Sequence, residues 1–420
     1  MTRCVFVVNC GSSSLKYRLV DLDSHRSPAW GIVERIGGPD PRIIHEGSGR
    51  REARPVAAAD HEAALRAVLD ALDRTGPGLA GAALVAVAHR VVHGGDRFSA
   101  PVVVDDEVLA AIRALSALAP LHNPVNARGL EVARRVLVDV PHVAVFDTAF
   151  HHTLPPHAYT YAVPVEWARE HGVRRYGFHG TSHAYVARTA ARLLDRDPAR
   201  TNLIVLHLGN GASAAAVAGG ESVDTSMGLT PLEGLVMGTR SGDLDPAVVL
   251  HLLRSGLGRD EIDDGLNRES GLRALAGASD MREIHRRADG GDAAAALALD
   301  VYCYRIRKYV GAYFAVLGHV DAIVFTAGVG ENDPEVRSRS LSGLEALGIV
   351  VDAARNTAPA HGPRVVSSED AAVAVLVVPT DEELEMATQA ADLVAARALT
   401  DPAPGTVEPA PGEPPARARR

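Results

Sequence analysis

Residues 203–211 read Leu-Ile-Val-Leu-His-Leu-Gly-Asn-Gly and join an apolar run to a turn that contains two glycines. The run has β-branched members, which predicts a buried strand. Gly209 and Gly211 then allow the backbone of the turn to approach a ligand closely, as in loops that cradle phosphate groups. Glycine turns after strands are common, so this one alone does not identify a site.

The first residues of the chain repeat this arrangement. Residues 5–14 read Val-Phe-Val-Val-Asn-Cys-Gly-Ser-Ser-Ser, and aligning them with residues 203–212 sets Gly11 against Gly209. Each half of the chain therefore begins with a strand and a small polar turn. We infer two related domains that face one another across a cleft with a nucleotide between them. The repeat is a hypothesis, since a few matched residues can arise by chance.

Composition narrows the class of protein. The 420 residues, 47% of them hydrophobic, are enough for two domains with substantial cores. A net charge of −9 argues against general binding to nucleic acids or anionic membranes. The three cysteines are odd in number and unclustered, which excludes a disulfide framework or a structural zinc site. No apolar stretch is long enough to span a bilayer or to serve as a signal peptide, so the cytoplasm is expected.

Strands alternate with helices along the chain, which predicts an α/β protein. Asp147 follows the predicted strand 143–146, and ligands of open α/β sheets lie beyond such strand ends. Residues after about 400 are rich in proline and predict a disordered tail. The other predicted strands are 5–8, 15–20, 84–88, 203–208, 322–325 and 373–378, with a hairpin at 213–225. The main predicted helices are 60–74, 105–118, 124–138, 292–318 and one that begins at 380.

Two groups of residues suit anion binding. The turn Ser12–Lys16 is rich in donors, although it lacks the spacing of a P-loop, and an ordinary hairpin turn is the alternative. Arg90 and Arg240 have glycines and small residues nearby. Both could form surface ion pairs, but guanidinium groups at a strand end and in a glycine loop fit carboxylate and phosphate oxygens.

Histidines and acids complete the candidates. His179 and His183 have i, i+4 spacing, but the Glu of the zinc motif is missing and Gly180 follows directly, so a hydrogen bond from His179 to a phosphoryl oxygen is favoured. The pair His151 and His152 is assigned to loop surface. Capping boxes are expected at Asp280-x-x-Glu283 and Thr380-x-x-Glu383, which leaves Glu382 free to face a magnesium ion.

Seven segments together resemble the acetate/propionate/butyrate kinase family, and most closely its acetate kinases. They occur in order from residue 5 to about residue 390. They are Asn-Cys-Gly-Ser-Ser-Ser-Leu-Lys (9–16), His-Arg-Val-Val-His-Gly-Gly (89–95), Tyr-Gly-Phe-His-Gly-Thr-Ser-His (176–183), His-Leu-Gly-Asn-Gly (207–211), Met-Gly-Thr-Arg-Ser-Gly (237–242), Gly-Val-Gly-Glu-Asn (328–332) and Pro-Thr-Asp-Glu-Glu-Leu (379–384).

The resemblance implies a two-domain α/β fold of the actin/hexokinase/Hsp70 type, built from duplicated ribonuclease-H-like domains with a cleft between them. It implies domains at 1–150 and 151–398, a last helix (380–398) that can pack back on the first domain, and a tail at 399–420. The implied reaction is the reversible phosphorylation of acetate by ATP to give acetyl phosphate. It requires magnesium, for which manganese can substitute. The expected assembly is a homodimer, with acetate and ATP as partners and neither nucleic acid nor membrane.

The resemblance also implies roles for individual residues. Arg90 would bind the substrate carboxylate, and Asp147 would be the catalytic acid; our hypothesis is that Asp147 orients metal-bound water or an arginine and abstracts no proton. With Arg90, His179 and Arg240 would act in catalysis by stabilising the transition state. The implied metal ligands are Asn9 and Glu382, and the apolar pocket for the substrate methyl group is Val92, Leu121, Phe178 and Pro231. The implied nucleotide contacts are Ser12, Ser14, Lys16, His207, Leu208, Gly209, Asn210, Gly211, Asp280, Met281, Arg282, Gly328, Val329, Gly330, Glu331 and Asn332.

Two positions depart from the family pattern, and several rival functions stay open. Cys10 replaces a small alanine, and Asp381 replaces a common asparagine, which adds charge beside the proposed metal residue. The nearest rival is a propionate or butyrate kinase, because an extra methylene in an apolar pocket changes binding by only about 1–3 kcal/mol. A regulatory nucleotide-binding protein without kinase activity and a sugar kinase that phosphorylates a hydroxyl group are the other two.

Overall fold

A computed structural model describes residues 2–75 and 83–400, which form two β-sheets with helices on both faces. The predicted α/β class is confirmed. The greater part of the predicted tail, residues 401–420, lies outside the described residues, and residues 399 and 400 belong to the last helix. Within residues 2–75 and 83–400, no helix is both long and apolar enough to cross a bilayer.

The first sheet has eight strands and the second has six. The first sheet contains β1 (Arg3–Cys10), β2 (Ser14–Asp21), β3 (Ala29–Glu34), β4 (Arg42–Gly47), β5 (Arg50–Pro55), β6 (Ala83–Val91), β7 (Val102–Val103) and β8 (His142–Phe146), in the order β5-β4-β3-β2-β1-β6-β8-β7. The second contains β9 (Asn202–Leu208), β10 (Ala212–Ala218), β11 (Glu221–Thr225), β12 (Ala322–Thr326), β13 (Arg364–Val365) and β14 (Ala374–Val377), in the order β11-β10-β9-β12-β14-β13.

The two sheets share one topology. In the first, β1, β2 and β3 form an antiparallel meander, and β6 and β8 then run parallel to β1. In the second, β9, β10 and β11 form the meander, and β12 and β14 run parallel to β9. The internal repeat inferred from residues 5–14 and 203–212 is therefore real at the level of topology.

The alignment of the two turns holds as far as their first glycine. The Gly11 N–H donates to the Ser14 carbonyl at 2.8 Å, whereas the Gly209 N–H donates to the Gly211 carbonyl at 3.0 Å. The second turn is one residue shorter, because Cys10 pairs with Leu15 and Leu208 pairs with Ala212. The structural equivalent of Ala212 is thus Leu15, and the sequence alignment with Ser14 is wrong by one residue.

Fifteen α-helices lie within the described ranges 2–75 and 83–400. The first six are α1 (His61–Thr75), α2 (Asp106–Ala114), α3 (Asn123–Val136), α4 (Pro156–Tyr159), α5 (Val165–His171) and α6 (Gly180–Leu193). The others are α7 (Ala247–Arg254), α8 (Arg259–Arg268), α9 (Gly271–Ala276), α10 (Met281–Asp289), α11 (Ala293–Leu317), α12 (Ala327–Asn332), α13 (Pro334–Leu341), α14 (Ala353–Thr357) and α15 (Glu382–Thr400).

Each sheet is covered on both faces by apolar helix surfaces. In the first, α1 and α3 pack against the face that carries Phe6, while α15 packs its Met386 against the face that carries Val5. In the second, α11 covers one face and α6 covers the other. Successive residues of a strand point to opposite faces, so strands covered on both faces are apolar throughout, as β8 and β12 are.

Two parts of the fold differ from the sequence reading. Strands β3, β4 and β5 were not predicted; in the edge strand β5, four of the six residues are charged and none is fully buried, so this strand lacks an apolar signal. Residues 328–332, read as a loop, lie in the helical turn α12. Its two glycines have low helix propensity, and tertiary contacts around the turn outweigh that preference.

We expect Gly129→Ala to destabilise the protein by about 1–3 kcal/mol, because overpacking a filled core has that cost. A Cβ at Gly129 in α3 would lie 2.4 Å from Cys10 Sγ and 2.9 Å from Cys10 Cβ. Urea unfolding measures the change. Gly311→Ala in α11 is the matched control: its Cβ would meet no atom within 4 Å, so it should stabilise by about 0.5–1 kcal/mol.

Cys10→Ala combined with Gly129→Ala should recover part of the loss, because it removes the sulfur atom from the contact. Equal effects of the two glycine substitutions would contradict the packing argument.

Candidate active site

The predicted site residues collect at the carboxyl ends of the parallel strands. Asn9 lies at the end of β1, Arg90 near the end of β6, and Asp147 directly after β8. In the second sheet His207 lies near the end of β9 and α12 follows β12 directly. Loops at this edge of a sheet are where open α/β proteins bind ligands, and here the two edges face each other.

A cavity of about 550 Å³ joins the two halves of the chain. From the first half it takes the turn after β1 and the ends of β6 and β8, and from the second half it takes loops that follow residue 177. The predicted residues that line it are Asn9, Ser12, Ser14, Lys16, Arg90, Val92, Leu121, Asp147, Phe178, His179, Pro231 and Arg240. The structure therefore brings the predicted catalytic, substrate and phosphate-binding groups into one space.

Arg90 and Asp147 form a buried bidentate ion pair. Arg90 Nε lies 2.9 Å and 3.2 Å from the two carboxylate oxygens of Asp147, and Nη2 lies 2.7 Å from Oδ2. The carboxylate of Asp147 is almost fully buried and raises the pKa of Arg90 above its ordinary value. Both oxygens of Asp147 are thus occupied by the guanidinium group, which fixes the arginine at the cavity wall.

The main chain of Asp147 anchors the loop that carries His179. The Gly180 N–H donates to the Asp147 carbonyl at 2.8 Å, and a Cβ on Gly180 would lie 2.3 Å from that oxygen. Glycine is therefore required at position 180. His179 itself has φ of 57°, a left-handed conformation that turns the chain into α6.

The rings of His179, which lines the first cavity, and His207 are stacked, with centroids 4.2 Å apart. His179 Nδ1 lies 2.9 Å from Ser213 Oγ, and His207 Nδ1 lies 2.7 Å from Ser182 Oγ. Burial is the main cause that lowers the pKa of His179 well below its ordinary value, and it lowers the pKa of His207 to about 3. Both imidazoles are therefore neutral at physiological pH.

Arg240 brings an unpaired positive charge to the same cavity. Its Nη1 donates to the Pro231 carbonyl at 2.8 Å, and no carboxylate within residues 2–75 and 83–400 forms an ion pair with it. Burial lowers the pKa of Arg240 below its ordinary value. A Cβ on Gly211 would lie 3.4 Å from both Arg240 Nη2 and His179 Nε2, so these two groups converge on the turn after β9.

Glu382 opens α15 beside the ion pair. Burial raises the pKa of Glu382 to about 7, with Arg90 opposing that shift and Asp147 adding to it. The helix is capped by Asp381, whose Oδ1 accepts from the Leu384 N–H at 2.9 Å, so the predicted cap at Thr380 is wrong. Arg18 also pairs with Asp381, at 2.5 Å, so the charge of this aspartate is balanced by an arginine of β2.

A second cavity, of about 560 Å³, lies in the second half of the chain. The predicted nucleotide residues that line it are Gly209, Asn210, Asp280, Met281, Arg282, Gly328, Val329 and Asn332. Gly238 also lines it, and a Cβ there would lie 2.1 Å from Asn210 Oδ1, so glycine lets these two loops touch. The three segments predicted to contact ATP therefore meet around one space.

The other predicted nucleotide residues lie outside that cavity. Leu208 is buried in the core, and Gly330 is buried within α12. The Glu331 carboxylate accepts from the Thr380 N–H at 3.1 Å, which ties α12 to the segment before α15. His207 and Gly211 lie on the side of the turn that faces His179.

Asp280 caps α10 as predicted, although without the expected capping box. Its Oδ1 accepts from the Arg282 N–H at 2.9 Å, and its carboxylate pairs with the Arg282 side chain at 2.6 Å. These contacts from Arg282 lower the pKa of Asp280 to about 2. Glu283 instead pairs with Arg286 one turn further along the helix.

Sequence reasoning missed several residues of the first cavity, among them His122, Asn126 and Arg268. Asn126 Oδ1 accepts from the Val92 N–H at 3.2 Å, and its Nδ2 donates to the Cys10 carbonyl at 3.1 Å. This amide ties the residue that follows β6 to the end of β1. A buried polar residue on the apolar face of α3 was the available signal.

The surface assignment of His151 is wrong, because its ring is buried. His151 Nε2 donates to the Phe178 carbonyl at 2.9 Å, and Ser222 Oγ lies 2.8 Å from its Nδ1. The neighbouring His152 is exposed, as expected. Adjacent histidines in a loop gave no indication that a strand from the second half would cover one of them.

Comparison with known proteins identifies the family. Residues 4–388 match the sequence profile of the Acetokinase family. An acetate kinase of Streptomyces avermitilis is 58% identical over 395 residues, which cover 93% of this chain and 97% of that protein. The chain belongs to the acetokinase family. The resemblance stated from the seven segments is confirmed.

Solved structures agree in fold. A crystal structure of Porphyromonas gingivalis acetate kinase matches with a TM-score of 0.87 and 42% identity, over 95% of this chain and 99% of that one. A propionate kinase from Francisella tularensis matches with a TM-score of 0.87 and 38% identity, over 93% of this chain and 99% of that one. The predicted two-domain fold of the actin/hexokinase/Hsp70 type is confirmed.

We expect Glu382→Gln to raise the melting temperature at pH 8 in metal-free buffer. The pKa of Glu382 is about 7 in the folded state, against about 4.3 for a free carboxyl group. The wild type therefore loses stability as the pH rises from about 4.3 to about 7, while the amide stays neutral throughout. The difference between the two proteins should vanish near the lower of these values.

Scanning calorimetry across this range measures the effect. Glu383→Gln, which removes a carboxylate 3.8 Å from Arg18, is the control and should give no stabilisation. If Glu382→Gln melts no higher than the wild type at pH 8, the ionised carboxylate of Glu382 does not destabilise the folded protein.

Proposed function

We propose that this chain is an acetate kinase, which transfers the γ-phosphoryl group of ATP to a carboxylate oxygen of acetate and releases ADP. The observation that carries the proposal is one cavity that holds Arg90 and Arg240 next to a small apolar wall. That wall consists of Val92, Leu121, Phe178 and Pro231. A guanidinium group beside an apolar wall suits a short carboxylate, which has one charged and one methyl end.

The chemistry requires charge stabilisation and no base. Acetate is ionised at neutral pH, so its oxygen can attack phosphorus directly, and the bond from phosphorus to the ADP oxygen breaks in line with the attack. The main obstacle is the repulsion between the carboxylate and the phosphates. Arg240, which has no carboxylate partner in the described chain, and the neutral His179 would stabilise the transferring group.

Asp147 would act through Arg90 and would not take up a proton. Its two oxygens accept from Arg90 at 2.7–3.2 Å, and no substrate proton needs to be removed. The bidentate geometry holds the guanidinium group in one orientation, as a substrate clamp requires. This agrees with the hypothesis that Asp147 orients an arginine.

Asn9 and Glu382 are proposed to hold magnesium, for which manganese could substitute. Within residues 2–75 and 83–400, no cluster of three His, Cys, Asp or Glu side chains could form a dedicated metal cage. The oxygen donors present fit magnesium, which usually binds one or two carboxylates together with substrate phosphates. When bound, the ion would neutralise charge on the phosphate oxygens.

We place ATP between the two cavities, with its phosphates near Ser12, Ser14 and Lys16 and its base near residues 280–282. This proposal makes the cleft between domains 1–150 and 151–398 the site of transfer. Its support is that the first cavity takes residues from both ranges, while the second takes residues from the later range alone. The last helix then serves the first domain, because its apolar face packs on the first sheet.

The deciding experiment traps the acyl phosphate with hydroxylamine while ATP consumption is measured in a coupled assay. Acetate, propionate, butyrate and glycerol are compared. We expect hydroxamate to form with the highest kcat/KM on acetate. A preference for a longer acid would assign a sister activity, and ATP consumption with glycerol alone would favour a sugar kinase. ATP binding without turnover of any acceptor would favour a regulatory protein.

In the same assay, Arg240→Ala should lower kcat about 10³-fold or more, by analogy with the loss of an arginine finger. Arg268→Ala, which removes a second cationic residue of the same cavity, is the matched control and should lower kcat far less. An unchanged kcat in Arg240→Ala would remove this residue from the mechanism.

We also propose a homodimer in the cytoplasm. Helix α7 is apolar over most of its length, yet none of its residues is buried, and Val248, Leu250 and Leu253 are exposed. Exposed apolar helix faces of this kind mark protein interfaces. Tyr309 and Arg305 of α11 bind Asp243 just before α7. These contacts anchor the start of α7, although no residue of the helix is buried within the described chain.

Light scattering should give twice the chain mass of 44.2 kDa for the wild type. The double variant Leu250→Asp with Leu253→Asp should give the single mass, because charged groups at an interface core are costly. Val138→Asp, at another exposed apolar residue, is the control and should leave the mass unchanged. A wild-type protein with the single mass would contradict the dimer.

A further inference from the structure

A serine hydroxyl links His179 to a second buried histidine. Ser213 Oγ, on β10, lies 2.9 Å from His179 Nδ1 and 2.8 Å from His183 Nε2. The two histidines are one turn apart at the start of α6, and both Ser213 and His183 are fully buried. The three groups therefore form a continuous row that ends at the cleft.

The number of hydrogens in this row limits its arrangement. A serine hydroxyl has one hydrogen, so it can donate to only one of the two rings and must accept from the other. His183 Nδ1 is buried and has no hydrogen-bond partner in the described chain. A buried N–H without an acceptor forfeits a strong hydrogen bond, so the His183 proton belongs on Nε2, where Ser213 accepts it.

Ser213 Oγ has no further hydrogen-bond partner in the described chain, so accepting from both rings would leave its own buried hydrogen without an acceptor. The Ser213 hydroxyl therefore donates to His179 Nδ1, and His179 carries its own proton on Nε2. This Nε2 is the atom that converges with Arg240 Nη2 on the turn at Gly211. We propose that Ser213, supported by His183, is a positioning residue that keeps the proton of His179 on Nε2. A neutral imidazole then offers an N–H to the transferring phosphoryl group. That a phosphoryl group accepts this N–H rests on the proposed function, whereas the position of the proton on Nε2 does not.

The alternative arrangement would work against the reaction. With the proton on Nδ1, the lone pair of Nε2 would face phosphoryl oxygens and repel them. A charged imidazolium would carry both protons, but burial and the nearby His207, His183, Arg90 and Arg240 hold the pKa of His179 well below its ordinary value. A neutral histidine in this place needs a partner that selects one tautomer.

The direct test is nuclear magnetic resonance of the full chain with ¹⁵N-labelled histidine. Long-range ¹H–¹⁵N correlations identify which ring nitrogen carries the proton, and His179→Gln assigns the His179 signals by their loss. We expect Nε2–H in the wild type and a partial shift to Nδ1–H in Ser213→Ala. This readout needs no turnover, so it is informative even if acetate is not the acceptor.

Kinetics supply the second test. Ser213→Ala should lower kcat about 10- to 100-fold, as for other residues that orient an active-site histidine. The KM values should stay within about threefold, because the effect is on the transition state. Ser222→Ala is the matched control: it removes an equally buried hydroxyl 2.8 Å from His151 Nδ1, but His151 stays fixed through its bond to the Phe178 carbonyl.

A second pair of variants covers the case in which Ser213→Ala does not fold. His183→Gln keeps an N–H donor near the place of Nε2 and should retain more activity than His183→Leu. Nδ1–H in wild-type His179, or equal kcat in Ser213→Ala and Ser222→Ala, would overturn the proposal. A wild type with Nε2–H on His179 but no hydroxamate formation would support the role of Ser213 and contradict the kinase assignment.

Discussion

The burial of the Asp147 carboxylate is the constraint on which the site depends. A charge with so little access to water must be paired, and Arg90 pairs it through both oxygens. The main chain of Asp147 meets Gly180 so closely that no side chain fits there. One residue therefore sets the position of the arginine on β6 and of the loop that carries His179.

The opposite wall is organised by hydroxyl groups. Ser213 joins His179 to His183, while Ser182 joins His207 to Thr380 at 2.9 Å. Thr380, which lies two residues before Glu382, in turn donates its N–H to the side chain of Glu331 in α12. Two sets of hydrogen bonds thus hold the four side chains, one around Ser213 and one that runs from His207 to α12, and the stacked rings of His179 and His207 bring the two sets together.

Local patterns were enough to predict most of the described strands, the two glycine turns and the residues at strand ends such as Asp147. They also indicated the repeat, whose second turn is one residue shorter than its first. They could not predict contacts between distant segments: Arg18 with Asp381, His151 beneath Ser222, or Ser213 between two histidines. Strand β5 was not predicted because an edge strand with charged residues lacks an apolar signal.

The return of α15 to the first sheet has a consequence for biosynthesis. Ribosomes release a chain from its amino end, and domains usually fold in that order. Here Met386, Ala387 and Ala390 complete the core beside Val5 and Val7, which were synthesised more than three hundred residues earlier. The half that emerges first therefore cannot complete its core until α15 has also left the exit tunnel.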